Sequence, residues 1–160
     1  MAMATYWHGS YGELVEGCVL TPASNPGLSG HLGVEALLEC VRPIHALSRK
    51  DAVFMAGTPD DIDALGGGTD WIAAVECTGT VTSHDAAWLS AIQCAMDDTQ
   101  DDLARIEAMG TAYWLGERYP GPSSVFEYMS TEATVIQAWG EDDELDENFA
   151  VVRNNVHQPR

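Results

Sequence analysis

Basic residues are scarce in this sequence. One lysine and six arginines stand against 25 acidic residues, which gives a formal net charge of −18 over 160 residues. A charge of this sign and size repels the phosphate backbone of nucleic acids and the anionic head groups of lipids. We therefore expect no direct binding to either. The same excess leaves one other function open, because a small acidic protein can imitate the charge of DNA and inhibit an enzyme that binds nucleic acid.

The sequence also lacks paired cysteine motifs and long apolar runs. Cys18, Cys40, Cys77 and Cys94 include no Cys-x-x-Cys pair, and no histidine lies at metal-ligand spacing from them. This pattern predicts buried free thiols in a reducing compartment and no metal site. No stretch approaches the ~20 apolar residues of a membrane span, and the first residues lack a basic region followed by an apolar run. We therefore expect a soluble cytoplasmic protein.

Apolar residues are nevertheless plentiful, at 46% of the chain with five tryptophans, so the sequence predicts a folded protein despite its charge. The length fits one domain, which we place at residues 1–140. Residues 141–160 are predicted to form an acidic segment and tail. Within them, residues 141–147 read as a solvated acidic run, and residues 149–153 are a candidate for a last strand.

Periodicity gives a coarse secondary structure. Apolar residues at the spacing of one helix face predict a helix over residues 33–41, and Pro, Gly, Ser and Asn predict a loop over 21–33. Similar signals predict strands at 52–56, 71–77, 125–129 and 133–139, helices beginning near Thr58, Asp85 and Asp102, and an aromatic loop at 113–122. The Asp102 helix is expected to end at Gly110. Together these elements predict an α+β fold, with two small, mostly antiparallel sheets and the helices to one side.

The most informative stretch is Tyr6-Trp7-His8-Gly9-Ser10, which follows a short apolar segment. His8 offers a ring N–H or a ring nitrogen to a sugar hydroxyl, and Ser10 offers a small donor and acceptor. Gly9 lets a ligand approach the main chain where a Cβ would collide. The competing interpretation is a turn in which His8 is a structural histidine at a strand edge.

The sequence resembles the ADP-ribosyltransferase family, especially its small rifampin ADP-ribosyltransferase-like branch. That branch opens with a Tyr-His-Gly-Thr type strand, matched here by Trp7-His8-Gly9-Ser10, and continues with a Leu-x-x-Gly-Asp-x-Leu-x-Pro type stretch, matched by residues 14–22. A following Val-Tyr-Phe type strand corresponds to residues 51–55, and a Val-Glu-Pro-x-Gly type strand corresponds to residues 71–79.

The resemblance implies the ADP-ribosyltransferase fold. It also implies that NAD is bound and consumed as a substrate. By this resemblance His8 would hydrogen-bond the adenosine-side ribose, Gly9 would bind the nicotinamide carboxamide through its backbone, and Ser10 would assist. Phe54 stands where the family commonly has a tyrosine that stacks on nicotinamide. Core packing is an equal alternative for Phe54, and Trp71 is a second candidate for the aromatic wall.

Two acidic residues compete for the role of catalytic carboxylate. Glu127 lies in an otherwise apolar strand after two serines, as in the third motif of the family. Glutamate is uncommon in strands, so its presence there favours a functional role. Asp85 follows the 71–79 strand at a spacing close to the aspartate of the rifampin-modifying branch, but it is also suited to cap a helix. Glu127 is the first choice.

The resemblance therefore predicts an NAD-dependent mono-ADP-ribosyltransferase that releases nicotinamide. The sequence does not identify the acceptor of ADP-ribose. A protein side chain, a small molecule, a nucleic acid and water are all compatible with the residues of the predicted site. Two alternatives remain. One is the acidic DNA mimic, and the other is an inactive binding module with the ADP-ribosyltransferase fold, which the phenylalanine at position 54 favours.

Overall fold

The computed structural model describes residues 3–22, 31–98, 100–140 and 143. Within these ranges the protein is α+β, with one seven-stranded antiparallel sheet and four α-helices. The strands are β1 (Thr5–Ser10), β2 (Val19–Leu20), β3 (Val53–Ala56), β4 (Trp71–Glu76), β5 (Thr82–Asp85), β6 (Phe126–Ser130) and β7 (Ala133–Trp139). The helices are α1 (Leu32–Val41), α2 (Asp61–Ala64), α3 (Ala87–Asp97) and α4 (Leu103–Trp114), and a 3-10 turn, Arg49–Asp51, precedes β3.

The sheet has two halves joined at one point. Its strand order is β2-β7-β4-β1-β3-β6-β5. β1 pairs with β4 along its whole length, but within the described chain it pairs with β3 only through Trp7 and Ala56. Beyond that pair the two strands separate, and we call the opening between residues 8–10 of β1 and residues 53–55 of β3 the seam. The expectation of two small sheets is thus corrected to one sheet, because this single pair connects the halves.

Helices α1, α3 and α4 pack on one face of the sheet half that contains β3 and β6. Side chains alternate along a strand, so Phe54 faces these helices while Val53 and Met55 face the other side. The helix-side core is formed by Val34, Leu38, Ala52, Ile92, Ala95, Ile106, Tyr113, Trp114 and Met129. The opposite core is formed by Leu14, Leu20, Val53, Met55, Ala73, Val75, Ala133 and Val135.

Helix α4 shows where a local signal misleads. The sequence predicts that it ends at Gly110, but it continues to Trp114. A Cβ at Gly110 would lie 2.8 Å from Cγ2 of Val41, so this glycine allows α4 to approach α1 closely and does not terminate the helix. Tyr113 and Trp114 are therefore buried helix residues, not members of the predicted loop.

Other local predictions also change. Helix α2 begins at Asp61 and not near Thr58, whose carbonyl instead accepts the Asp61 N–H in a turn. Cys18, Cys40 and Cys94 are exposed, so the prediction of buried thiols is wrong for them. No helix in the described ranges is long and apolar enough to cross a membrane. Most of the predicted 21–33 loop and of the acidic run, and the whole 149–153 strand, lie outside the described residues.

Candidate functional site

A cleft of about 360 Å³ opens at the seam. It is lined by His8, Gly9, Phe54 and Glu127, four residues that the sequence nominates, together with Arg49. Residues of α2, of the glycine run after it and of the first turn of α3 also line it, as do Trp7 and His31. The fold therefore assembles one site from strands β1, β3 and β6 and the turn before β3.

His8 uses its two ring nitrogens differently. Nδ1 lies 2.8 Å from the carbonyl oxygen of Phe54, and because a carbonyl only accepts, Nδ1 carries the proton. Burial lowers the pKa of His8, and its hydrogen bond to Phe54 offsets this only in part. The ring is then neutral at neutral pH, so Nε2 is an acceptor. No described residue hydrogen-bonds Nε2, and it remains available to a ligand in the cleft.

Gly9 is required by packing. A Cβ at this position would lie 2.1 Å from the carbonyl oxygen of Gly68 and 2.4 Å from Cγ2 of Ile62. A Cβ at Gly68 would in turn lie 2.6 Å from the Tyr11 nitrogen. The predicted collision at Gly9 is real, but it is with the glycine run after α2 rather than with a ligand. On the β3 side of the seam, the main chain of β1 still has no partner among the described strands.

Glu127 lies on β6 with its side chain buried against the helices and its residue only 5% exposed. One carboxylate oxygen, Oε1, accepts a hydrogen bond of 2.5 Å from the hydroxyl of Tyr113 and a second, charge-assisted bond from Nη1 of Arg49. The other oxygen, Oε2, has no hydrogen-bond donor among the described residues. The site thus holds one oxygen and leaves the other unpaired in a residue that lines the cleft.

Arg49 is the residue that sequence reasoning missed. It is 5% exposed, and its Nε donates to Glu35 of α1 at 2.9 Å while Nη1 donates to Glu127 and Tyr113. Burial alone would lower the pKa of Arg49, but the charge of Glu127, the charge of Glu35 and the hydrogen bond to Glu35 hold it above its usual value. Arg49 is therefore a permanent cation between two carboxylates.

Phe54 has a role different from simple nicotinamide stacking. The guanidinium carbon of Arg49 lies 4.6 Å from the centre of its ring, within the range of a cation–π contact. One face of the ring is thus covered by Arg49. Phe54 still lines the cleft, where the remaining surface of the ring is available to a ligand.

Tyr113 is fixed from several sides. Its ring stacks on His84 with centroids 4.7 Å apart, and Nδ1 of His84 donates to the Tyr113 carbonyl at 2.8 Å. Burial, and then the charge of Glu127, raise the pKa of the Tyr113 hydroxyl well above its usual value. The hydroxyl therefore stays protonated and remains a donor. The sequence predicts Tyr113 in the 113–122 loop, whereas it lies near the end of α4, and this prediction does not include the contact with Glu127.

Asp85 lies at the end of β5 and does not line the cleft. Its carboxylate accepts from the hydroxyl of Ser124 and from the backbone N–H groups of Ala87, Tyr119 and Val125. Burial would raise the pKa of Asp85, but these four hydrogen bonds hold it below its usual value. Asp85 thus binds the N–H of Ala87, the first residue of α3, and anchors the chain segment that leads into β6, which favours the structural interpretation.

Ser10 and Trp71 face each other across β1 and β4, away from the cleft lining. Oγ of Ser10 accepts from the Gly12 N–H at 3.0 Å and so closes a turn. Trp71 packs on the core of the opposite sheet face and against Gly140. The structure brings neither residue into the cleft.

The chain matches no protein-family model and no curated protein. The chemistry of the site must therefore be argued from its own residues. No group of three His, Cys, Asp or Glu side chains in the described part of the chain is arranged to hold a metal ion.

A second hollow of about 720 Å³ lies along α3, beside the cleft. The two share Ala64, Ala86 and Ser90 as lining residues. Tyr119, from the predicted aromatic loop, lines the second hollow, and Asp98 and Asp101 lie at its far end. The second hollow is lined largely by small side chains.

Proposed function

We propose that this protein is an NAD-dependent mono-ADP-ribosyltransferase, which transfers ADP-ribose from NAD to an acceptor and releases nicotinamide. The observation that carries the proposal is the state of Glu127: one carboxylate oxygen is held by two donors, and the other has no hydrogen-bond donor among the residues that the structure describes. The resemblance of the sequence to ADP-ribosyltransferases agrees with this assignment of Glu127.

The chemistry needs one carboxylate beside the ribose. When the bond between the ribose C1′ and the nicotinamide nitrogen breaks, its electron pair leaves with nicotinamide and C1′ gains oxocarbenium character. Oε2 of Glu127 would accept a hydrogen bond from a ribose hydroxyl and stabilise the positive charge that develops. The acceptor nucleophile then forms the new bond to C1′ and loses its proton to solvent.

The remaining groups at the seam suit a sugar ligand. Nε2 of neutral His8 is an acceptor for a second ribose hydroxyl. Among the described strands, the main chain of residues 8–10 has no partner on the β3 side, and its N–H and C=O groups there would bind an amide such as the nicotinamide carboxamide. These roles need only hydrogen bonds from the chain itself.

The charge balance also favours this reaction. Glu127, which pairs with Arg49, lines the cleft, and His8 beside it is neutral. A carboxylate at this point would stabilise a cationic nicotinamide ring and an oxocarbenium-like centre, and more strongly away from bulk water. The second hollow along α3 is the proposed route of the acceptor, and the net charge of −18 favours a protein side chain or small molecule over a nucleic acid there.

Replacing Glu127 by glutamine tests this function. Glutamine keeps the shape and hydrogen-bonding atoms but offers no charge to the reacting carbon, so kcat should fall on the order of 10²–10³-fold while NAD affinity is retained. The measurement is release of nicotinamide from labelled NAD, with water, a basic peptide and small-molecule amines or alcohols as acceptors. NAD affinity is measured separately by calorimetry.

Glu132→Gln is the matched control, because Glu132 is an exposed carboxylate in the turn that follows the same strand. It should behave like the wild-type protein. Wild-type protein that releases no nicotinamide with any acceptor, or a Glu127→Gln variant with normal kcat, would remove the transferase assignment.

One observation favours a second function, a binding module without turnover. Arg49 covers one face of the Phe54 ring, and Phe54 lacks the hydroxyl of the tyrosine that the family commonly has there. Binding of NAD by the wild-type protein without nicotinamide release would support this alternative.

A further inference from the structure

We propose that Arg49 and Tyr113 are positioning residues that hold Glu127 in one orientation, with Oε1 fixed and Oε2 directed into the cleft. This inference rests on the proposed function, and it concerns how that carboxylate is made ready before NAD binds. Neither Arg49 nor Tyr113 needs to touch the reacting atoms for this role.

The two donors restrict the carboxylate in different directions. Tyr113 comes from α4 and Arg49 from the turn before β3, and both reach the same oxygen of Glu127. An ionised carboxylate has about four lone-pair sites, so two donors on Oε1 leave Oε2 free to accept. A glutamate side chain would otherwise sample several rotamers, and each misplaced rotamer would lower the fraction of molecules that react.

The donors are themselves immobilised, which a positioning role requires. Arg49 is fixed at its far side by Glu35 of α1 and rests on the Phe54 ring. Tyr113 is fully buried and stacked on His84, whose ring donates to the Tyr113 carbonyl. The orientation of Glu127 is therefore set by a chain of contacts that begins on α1 and α4 and ends at the cleft.

Tyr113→Phe is the cleanest test, because it removes one hydroxyl and preserves the buried ring. The variant loses the hydrogen bond to Glu127, and with it the bond that the hydroxyl accepts from Arg49, so kcat should fall on the order of 10-fold with NAD affinity unchanged. Arg49→Lys removes the forked donor geometry and should lower kcat further, on the order of 10²-fold. Tyr128→Phe is the control, since Tyr128 neighbours Glu127 on β6 but packs on the opposite face against Tyr6.

A double variant separates positioning from a general structural effect. If Tyr113 acts through Glu127, then Tyr113→Phe should cost nothing further in a Glu127→Gln background, because the carboxylate that it orients is gone. A structural role would lower kcat by the same factor in both backgrounds. A wild-type kcat in Tyr113→Phe, or a full additional loss in the double variant, would overturn the proposal.

Crystal structures of Tyr113→Phe and Arg49→Lys supply a readout that does not depend on turnover. We expect the Glu127 side chain to leave its wild-type rotamer or to occupy more than one. An unchanged Glu127 in both structures would overturn the positioning role, whatever the activity. If wild-type protein does not cleave NAD but Glu127 moves in the variants, the transferase assignment fails and the positioning assignment stands.

Discussion

At the scale of single residues, the two ring nitrogens of His8 have separable roles. His8→Asn keeps a donor near the Phe54 carbonyl but removes the acceptor at Nε2, whereas His8→Ala removes both. We expect His8→Asn to retain its melting temperature and bind NAD on the order of 10-fold more weakly, because one hydrogen bond to the ligand is lost. His8→Ala should in addition lose about 1 kcal/mol of unfolding free energy. Thermal melts and NAD titrations measure both effects.

An NAD affinity that is unchanged in both His8 variants would show that Nε2 does not hydrogen-bond NAD. A stability loss in His8→Ala without any binding loss would leave only the structural role at the strand edge.

The residues that the sequence identified are those whose signal is local. His8 and Gly9 lie in one short motif, and Glu127 is conspicuous as a lone carboxylate in an apolar strand. Arg49 and Tyr113 carry no such signal, because their importance arises from contacts across 78 and 14 positions with Glu127. Sequence periodicity marks a tyrosine on a helix as core, but it does not show which carboxylate its hydroxyl meets.

At the scale of elements, β5 depends on a carboxylate at its end. Asp85 ties the start of α3 to the segment before β6 through bonds to Tyr119, Ser124 and Val125. Asp85→Asn replaces an acceptor oxygen by an N–H₂ group that faces other donors, so we expect a loss on the order of 3 kcal/mol in unfolding free energy. Urea unfolding measures it, with Asp97→Asn as a control at an exposed position near the end of α3.

We expect Asp85→Asn to keep a kcat close to that of the wild type when kcat is calculated per folded molecule. A folded Asp85→Asn variant without NAD turnover, beside an active Glu127→Gln variant, would reverse the order of the two candidate carboxylates.

Elements with a clear apolar period, such as α1, α3, β3, β4 and the β6–β7 hairpin, were predictable from the sequence. β5 was not, because Thr82, Ser83, His84 and Asp85 show no apolar alternation. It forms as an edge strand on β6, where its register is set by a partner distant in the sequence. The predicted end of α4 at Gly110 is wrong for a related reason. Gly110 allows close packing of α4 on α1, and this contact is not visible in the local sequence.

At the scale of the whole molecule, the response to salt distinguishes the enzyme from the DNA mimic, because the net charge of −18 would drive binding only in the DNA mimic. Charges on the surface are screened over a Debye length of about 8 Å at physiological ionic strength, while buried hydrogen bonds to NAD are screened much less. We expect kcat for NAD cleavage to change little when salt rises from about 0.05 to 0.5 M. Binding to a basic, DNA-binding partner should weaken steeply over the same range.

Deletion of residues 141–147 is the companion measurement. It should leave NAD turnover intact, and loss of an inhibitory activity on this deletion, with NAD turnover absent throughout, would support the DNA mimic.

The seam has a consequence for hydrogen exchange. Amide hydrogens of β1 that bond to β4 should exchange slowly, whereas those of residues 8–10 that face β3 have no acceptor on any described strand and should exchange quickly. Addition of NAD should slow only this second set, because the ligand would supply the missing acceptors, and amides between β4 and β7 should not change. Equal protection of residues 8–10 before NAD is added would contradict this expectation. Exchange at these β1 amides therefore reports NAD binding independently of turnover. Glu127→Gln should still show protection of residues 8–10 when NAD is added, although it no longer cleaves NAD.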